Sequence, residues 1–322
     1  SAQGLWRYRK FLPIDDDSNI ISFGEGFTPL VSATINGRSI FFKMDHFSPS
    51  GSFKDRGASV MMSKMKELGI THIIEDSSGN AGAAIAAYGA AANIACDIYV
   101  PAETSSGKLG QIKAVGATLY KISGGREATA HAALKAAKSA YYASHSWNPF
   151  FFQGTKTIAF EICEQLNWNA PDIFITPVGN GTLLLGAYFG FNELFDAGVI
   201  ERLPQIIAVQ SEHCAPLATA FARGSDKSER IDKRATLAEG IAVAEPIRGE
   251  QILLAVRRSN GNFITVSEDE IKFMLDYLCK SGFYIEPTAA VAAAGAAQIS
   301  DIVAENSIIA SVFTGHGLKS KS

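Results

Sequence analysis

An α/β fold built on parallel sheets is what this sequence predicts, and three observations predict it. From about residue 39 to the end, apolar runs of strand length alternate with longer helical patterns, the order expected of parallel layers. Several of those helical stretches are rich in Ala and Gly, so they can lie close on a sheet. Three strand ends run straight into a small-residue loop and a helix: HIIED into SSGNAG, ITPV into GNGT, and VF into TGHG. In open parallel sheets ligands bind beyond the carboxyl ends of the strands, so these loops are candidates for one site.

The strands expected are 39–47, 71–76, 96–101, 117–123, 172–178, 205–211 and 307–314. Helices are expected over 81–92, 127–142, 155–166 and 269–281, and the Ala-rich stretch 289–297 reads as a buried helix. With 322 residues, 47% of them hydrophobic, the chain can fill about two cores of roughly 150 residues each. The net charge of -3 is spread evenly, leaving no basic stripe for nucleic acid and no polybasic segment for a membrane surface. No apolar run reaches the ~18 residues that span a bilayer, and the first residues lack the apolar core of a signal peptide. A small-molecule ligand and a cytoplasmic location are therefore expected. Cys96, Cys163, Cys214 and Cys279 are far apart and form no C-x-x-C pair, so no metal site or disulfide framework is expected.

Four segments have residue types that carry chemistry. SPSGSFKDRGA puts Lys54 at the start of a helix. A lysine there is ordinarily solvated surface; it becomes reactive toward an aldehyde only in a partly desolvated cleft. The loop Ser77-Ser78-Gly79-Asn80 precedes a helix whose amino end favours an anion, although Ser and Asn also serve as plain turn residues there. Gly179-Asn180-Gly181-Thr182 repeats that arrangement, with glycines that admit a phosphate to the backbone, yet it matches neither the P-loop nor the dinucleotide fingerprint. Thr314-Gly315-His316-Gly317 offers a hydroxyl to a ring nitrogen and room for a flat ring. Glu286, in IEPTAA, stands before a helix-starting Pro. Its role and that of His316 stay open.

Taken in order, SPSGSFKDRG, SSGNAG, PVGNG, EPTAA and TGHGLK, with GLWRYRKFLPI and ISFGEGFTPL ahead of them, resemble the fold-type II pyridoxal-phosphate enzymes of the tryptophan synthase β superfamily, most closely the threonine synthases. The resemblance covers nearly the whole chain. It implies two open parallel-sheet α/β domains of the tryptophan-synthase-β-like kind. Residues 1–56 plus 146–322 would form a large cofactor-binding domain, and residues 57–145 a small mobile one. It implies pyridoxal 5'-phosphate held by Lys54 as a Schiff base, with the freed amine then moving substrate protons. Asn80 would bond the cofactor's 3'-oxygen; Gly179, Asn180, Gly181 and Thr182 would take its phosphate; Thr314 would face its ring nitrogen. Ser77, Ser78, Gly79, Asn80, Ser146 and Gln153 would hold a small amino-acid substrate. A homodimer is implied as well.

The chain departs from the pattern it resembles in two places. The family segment N-S-x-N-P-x-R-I-E-G-Q-K-T reads here from His145 to Thr157, with His145 for the Asn and Phe151 for the Arg. After Asn80 the family has Thr-Ser, and this chain has Ala81-Gly82. Loss of the Arg and of two hydroxyls removes partners for a phosphate, unless Lys108 or Arg126 supplies the charge. The expectation is a lyase or synthase acting on a small amino acid by β-elimination or β/γ-replacement, with O-phosphohomoserine a poor substrate and an Arg restored at 151 shifting preference toward it. The other readings are an authentic threonine synthase, a serine/threonine ammonia-lyase, and a catalytically silent cofactor-binding protein.

Overall fold

The computed structural model describes residues 3–104 and 106–320, the side chains of 106–108 aside. The strands are β1 (Leu30–Ile35), β2 (Arg38–Lys43), β3 (His72–Glu75), β4 (Ala95–Pro101), β5 (Thr118–Ile122), β6 (Tyr141–Tyr142), β7 (Ile173–Pro177), β8 (Gln205–Ser211), β9 (Asn262–Val266) and β10 (Ile309–Val312). The helices are α1 (Lys54–Glu67), α2 (Asn80–Ala91), α3 (Ser106–Ala114), α4 (Gly125–Ala136), α5 (Pro149–Thr155), α6 (Thr157–Gln165), α7 (Thr182–Asp196), α8 (Pro216–Ala222), α9 (Gly249–Arg258), α10 (Glu268–Lys280) and α11 (Pro287–Ile299). None is long and apolar enough to cross a membrane.

Residues 3–27 and 48–155 form one unit, and 28–47 with 156–320 a second. This partition by contact differs from the functional one implied by the resemblance; 57–145 lies wholly inside the first unit.

The first unit is built on a four-stranded, all-parallel sheet in the order β5-β4-β3-β6. Its core joins Ala58, Met61, Met62 and Met65 of α1 to the Ala-rich face of α2 and to Phe151. Two glycines let α5 lie flat on α1. A Cβ on Gly154 would sit 1.9 Å from the Arg56 carbonyl oxygen, and one on Gly57 would sit 2.4 Å from the Phe151 ring. Ahead of them, buried Glu25 accepts from Trp6 Nε1 at 3.0 Å, Tyr88 Oη at 2.8 Å and Phe23 N at 2.8 Å. That carboxylate fastens the amino-terminal segment to α2.

The second unit has a six-stranded sheet, β1-β2-β10-β7-β8-β9, parallel except for the β1–β2 pair. The β1–β2 hairpin turns at Asn36-Gly37 with both φ positive, 48° and 77°, as a tight two-residue turn requires. Phe42 and Phe313 stack at 4.2 Å in the core, over which α11 lies with Ala289, Ala290 and Ala293 buried.

The parallel α/β architecture and all seven expected strands are present, with changes at their ends and between them. β2 stops at Lys43, and Asp45–Phe47 turn as a 3-10 helix. The helix expected over 127–142 ends at Ala136, because Tyr141–Tyr142 pair with β3 instead; two adjacent Tyr favour a strand once an edge is offered. In place of one helix over 155–166 there are α5 and α6. Asn148 Oδ1 caps the first of them by accepting from Phe150 N at 2.9 Å.

Gly154→Ala is expected to lower stability by about 2–4 kcal/mol, since backbone cannot yield as a side chain can. Gly110→Ala, at an exposed helix position with nothing within 4 Å, should raise it by about 0.5–1 kcal/mol. Urea midpoints of the two variants check both signs.

Candidate functional site

Within the first unit, Lys54 is the first residue of α1. The loop before it is set by Asp55, whose carboxylate accepts from Ser50 N at 2.6 Å and from the Ser50 hydroxyl. Gln111 holds the Ser50 carbonyl at 3.1 Å. Lys54 is half-buried, with its Nζ 4.9 Å from the Phe53 ring centroid and 5.9 Å from that of Phe151. Two buried hydroxyls of the same loop, Ser48 and Ser52, meet no hydrogen-bond partner among the described residues.

β3 and β6 are neighbouring parallel strands, and both expected substrate loops leave their carboxyl ends. After β3 come half-buried Ser77 and Ser78, exposed Gly79, and half-buried Asn80 at the first position of α2. Past β6 come buried His145 and Ser146, with half-buried Gln153 on α5. Glu75 and Asp76 close β3 beneath the first loop. His145 Nδ1 lies 2.8 Å from Glu75 Oε1. Arg126 Nη2 lies 3.1 Å from Asp76 Oδ2, and Tyr142 donates to Asp76 at 3.0 Å. Burial pushes the Glu75 carboxyl up to about 7 against the pull of Arg126, and it holds the His145 imidazole well below its ordinary range.

Within the second unit, β7 and β10 are likewise neighbours, and the remaining expected residues follow them. Gly179–Thr182 link β7 to α7. Among the described residues, no protein acceptor meets the backbone N–H groups of Gly179, Asn180 and Gly181. Such amides at a helix start suit an anion. Their glycines have a reason of their own, however. A Cβ at 179 would sit 2.9 Å from the Ile241 backbone, and Gly181 has φ at 79°, so packing at the first and backbone conformation at the second already favour Gly. After β10, buried Thr314 donates to Glu286 Oε1 at 3.1 Å. A Cβ on Gly315 would fall 2.4 Å from the Glu286 carboxyl carbon.

Compared with known proteins, the sequence matches the family described as pyridoxal-phosphate dependent enzyme over residues 21–315. The chain belongs to this family. It is 34% identical to the threonine synthase of Methanocaldococcus jannaschii, over 98% of this chain and 80% of that one. It is also 34% identical to the threonine synthase of Synechocystis, over 99% and 85%. Among solved structures, maize serine racemase superposes with a TM-score of 0.82 at 21% identity, over 98% of this chain and 94% of the other. Threonine deaminase isoform 2 of Solanum lycopersicum superposes with a TM-score of 0.79 at 23% identity, over 98% and 86%. The fold is thus that of the fold-type II pyridoxal-phosphate enzymes, and the protein depends on pyridoxal 5'-phosphate.

Each unit by itself has groups that suit such a cofactor: in the first a half-buried amine, and in the second amides that no backbone acceptor among the described residues meets and the Thr314 oxygen, which is left as an acceptor because its proton goes to Glu286. Three features were not visible as such in the sequence. Glu286 proves to be the partner of Thr314, and the clue was Gly315, whose missing side chain leaves space for the carboxylate. Glu75 proves to be the partner of His145, for which no local motif existed. Phe151 is fully buried on Gly57, so it belongs to the core of the first unit; an Arg restored there would enter the core. Gly82, too, answers to packing, since a Cβ would sit 1.9 Å from the Ser77 carbonyl. Arg126 is engaged by Asp76, and the side chain of Lys108 lies outside the described residues.

His46, in the second unit, offers a pH test of this region. Burial, then His316, lowers its pKa from 6.5 to about 4, with Asp45 opposing. Because the folded value is depressed, its contribution to stability is present above about 6.5 and is lost as pH falls toward 4. Replacing His46 by Phe, which cannot take up a proton, is expected to move the acid-unfolding midpoint to lower pH by circular dichroism.

Proposed function

We propose that this pyridoxal-phosphate enzyme is a lyase or synthase acting on a small amino acid by β-elimination or β/γ-replacement, with an uncharged leaving group. The observation that carries this reading is the burial of Phe151. The position at which the related segment has its phosphate-binding Arg is filled by an aromatic ring packed against Gly57 and His145. A dianion brought there would be desolvated without a cationic partner.

In this reading Lys54 would hold the cofactor covalently, Asn80 would bond its 3'-oxygen, the amides of Gly179–Thr182 would take its phosphate, and Thr314 would face its ring nitrogen. The cofactor supplies an electron-poor ring that stabilises negative charge at the substrate α-carbon. Lys54, released as an amine, accepts the α-proton and returns a proton to the leaving group. The Ser77–Asn80 loop holds the substrate carboxylate at the start of α2, and Ser146 and Gln153 contact the rest of the substrate. A homodimer and a cytoplasmic location belong to the same reading. The alternative is an authentic threonine synthase, favoured by the 34% identity to curated enzymes of that name.

Borohydride treatment of the yellow holoenzyme should abolish its visible band and leave a reduced adduct that mass spectrometry places on Lys54. Lys54→Ala should lose about 10²–10⁴-fold in turnover for want of the proton-transferring amine. Steady-state assays should give serine, threonine or a neutral β-substituted alanine a higher kcat/KM than O-phosphohomoserine. Efficient threonine formation from O-phosphohomoserine, with negligible activity on the others, would establish the alternative. Phe151→Arg should cost about 3–5 kcal/mol of stability as an unpaired buried charge, a drop read from its thermal midpoint.

A further inference from the structure

Glu75 is fully enclosed, and one residue occupies both of its carboxylate oxygens. The His145 ring lies 2.8 Å from Oε1, and the His145 backbone N–H donates to Oε2 at 3.1 Å. The charged and titratable groups facing this pair are few. Asp76 comes next along β3, paired with Arg126 and held by Tyr142; Arg126 and Lys54 each act on both members of the pair, and Asp76 acts on His145 as well. Phe151 lies edge-on to the His145 ring at 5.9 Å, and its own centroid is 5.9 Å from Lys54 Nζ. The pair and the amine thus flank one buried aromatic ring.

We propose that Glu75 and His145 hold one proton between them, and that the charge of this pair sets the pH at which Lys54 becomes a free amine. Both act as positioning residues, and the inference rests on Lys54 as the cofactor lysine. Full burial penalises each charged form, so proton uptake belongs to the pair and occurs near neutrality. An anionic pair favours Lys54 as ammonium; a protonated pair releases it. The two arrangements, ammonium beside an anionic pair and neutral amine beside a protonated pair, contain the same protons and differ only in where one of them sits. An Asn, which stands at position 145 in the segment this chain resembles, can bond the carboxylate but cannot share its proton.

The test uses the full chain stripped of cofactor and mixed with pyridoxal phosphate, the rate of imine absorbance being followed against pH. Glu75→Gln is expected to move the midpoint of that profile about one pH unit lower, because an opposite charge near the amine is removed. His145→Asn should move it higher, because the neutral carboxyl loses the ring nitrogen that accepts its proton and the ionised form is relatively favoured. Asp97→Asn, at a pair with His72 on the same unit, should leave it in place. Nitrogen-15 histidine spectra of the wild type add a readout that needs no variant to fold. One ring should stay neutral into the acid range while its Nδ1 signal shifts as a carboxyl titrates near neutrality. Unmoved midpoints in both variants, or a His145 ring that titrates in its ordinary range without sensing Glu75, would overturn the proposal. A cofactor adduct on another lysine would instead overturn the Lys54 assignment itself.

Discussion

The first unit depends on a backbone-to-backbone approach that only glycine permits. α5 lies on α1 with Gly154 over the Arg56 carbonyl and the Phe151 ring over Gly57. Any side chain at either glycine would lift one helix off the other. Lys54 begins α1 only two residues before that contact, so the reach of its amine is set by a helix far along the chain. The same short stretch, from Ser144 to Phe151, also carries His145 and Ser146 and is tied down by Asn148, which caps α5 and donates to Tyr141 at 3.1 Å. Position and chemistry are therefore coupled: whatever shifts α5 shifts the lysine, its electrostatic partners and the expected substrate contacts together.

How much of this was legible in the sequence depends on the range of the interaction. The parallel layers could be read because strand length and small-residue loops are local properties, and so could α10, whose capping box runs from Ser267 to Glu270. β1 was missed although Asn36-Gly37 is a strong hairpin signal; its alternation is weak, with most of its residues outside the core. β6 was missed because two residues have no period, and only the neighbouring edge of β3 makes them a strand. At the candidate site, each loop could be found by its glycines, but their reason could not. Gly179 and Gly181 read as room for a phosphate, and each also makes room for the protein's own atoms. Position 151 carries a similar ambiguity: its Phe reads in sequence as a departure from the segment it resembles, whereas the burial of that ring on Gly57 is visible only in the fold.

In both units a buried carboxylate meets a side chain that follows the carboxyl end of a parallel strand: Glu75, the last residue of β3, meets His145 past β6, and Glu286, at the start of α11, meets Thr314 past β10. The chemistry differs with the partner. Behind Thr314, Glu286 receives a hydroxyl proton that does not leave at any ordinary pH, so the carboxylate fixes the direction of the hydrogen bond. Thr314 is left with lone pairs for whatever lies on its other side, which makes it more of an acceptor than an isolated hydroxyl would be. Behind His145, Glu75 meets a group that can itself take or lose a proton, so charge rather than direction becomes the variable. A Thr–Glu pair orients; a His–Glu pair titrates. Fold-level likeness to racemases and deaminases cannot separate these outcomes, because the strands and loops are shared while the identity of one side chain at each strand end decides which is obtained.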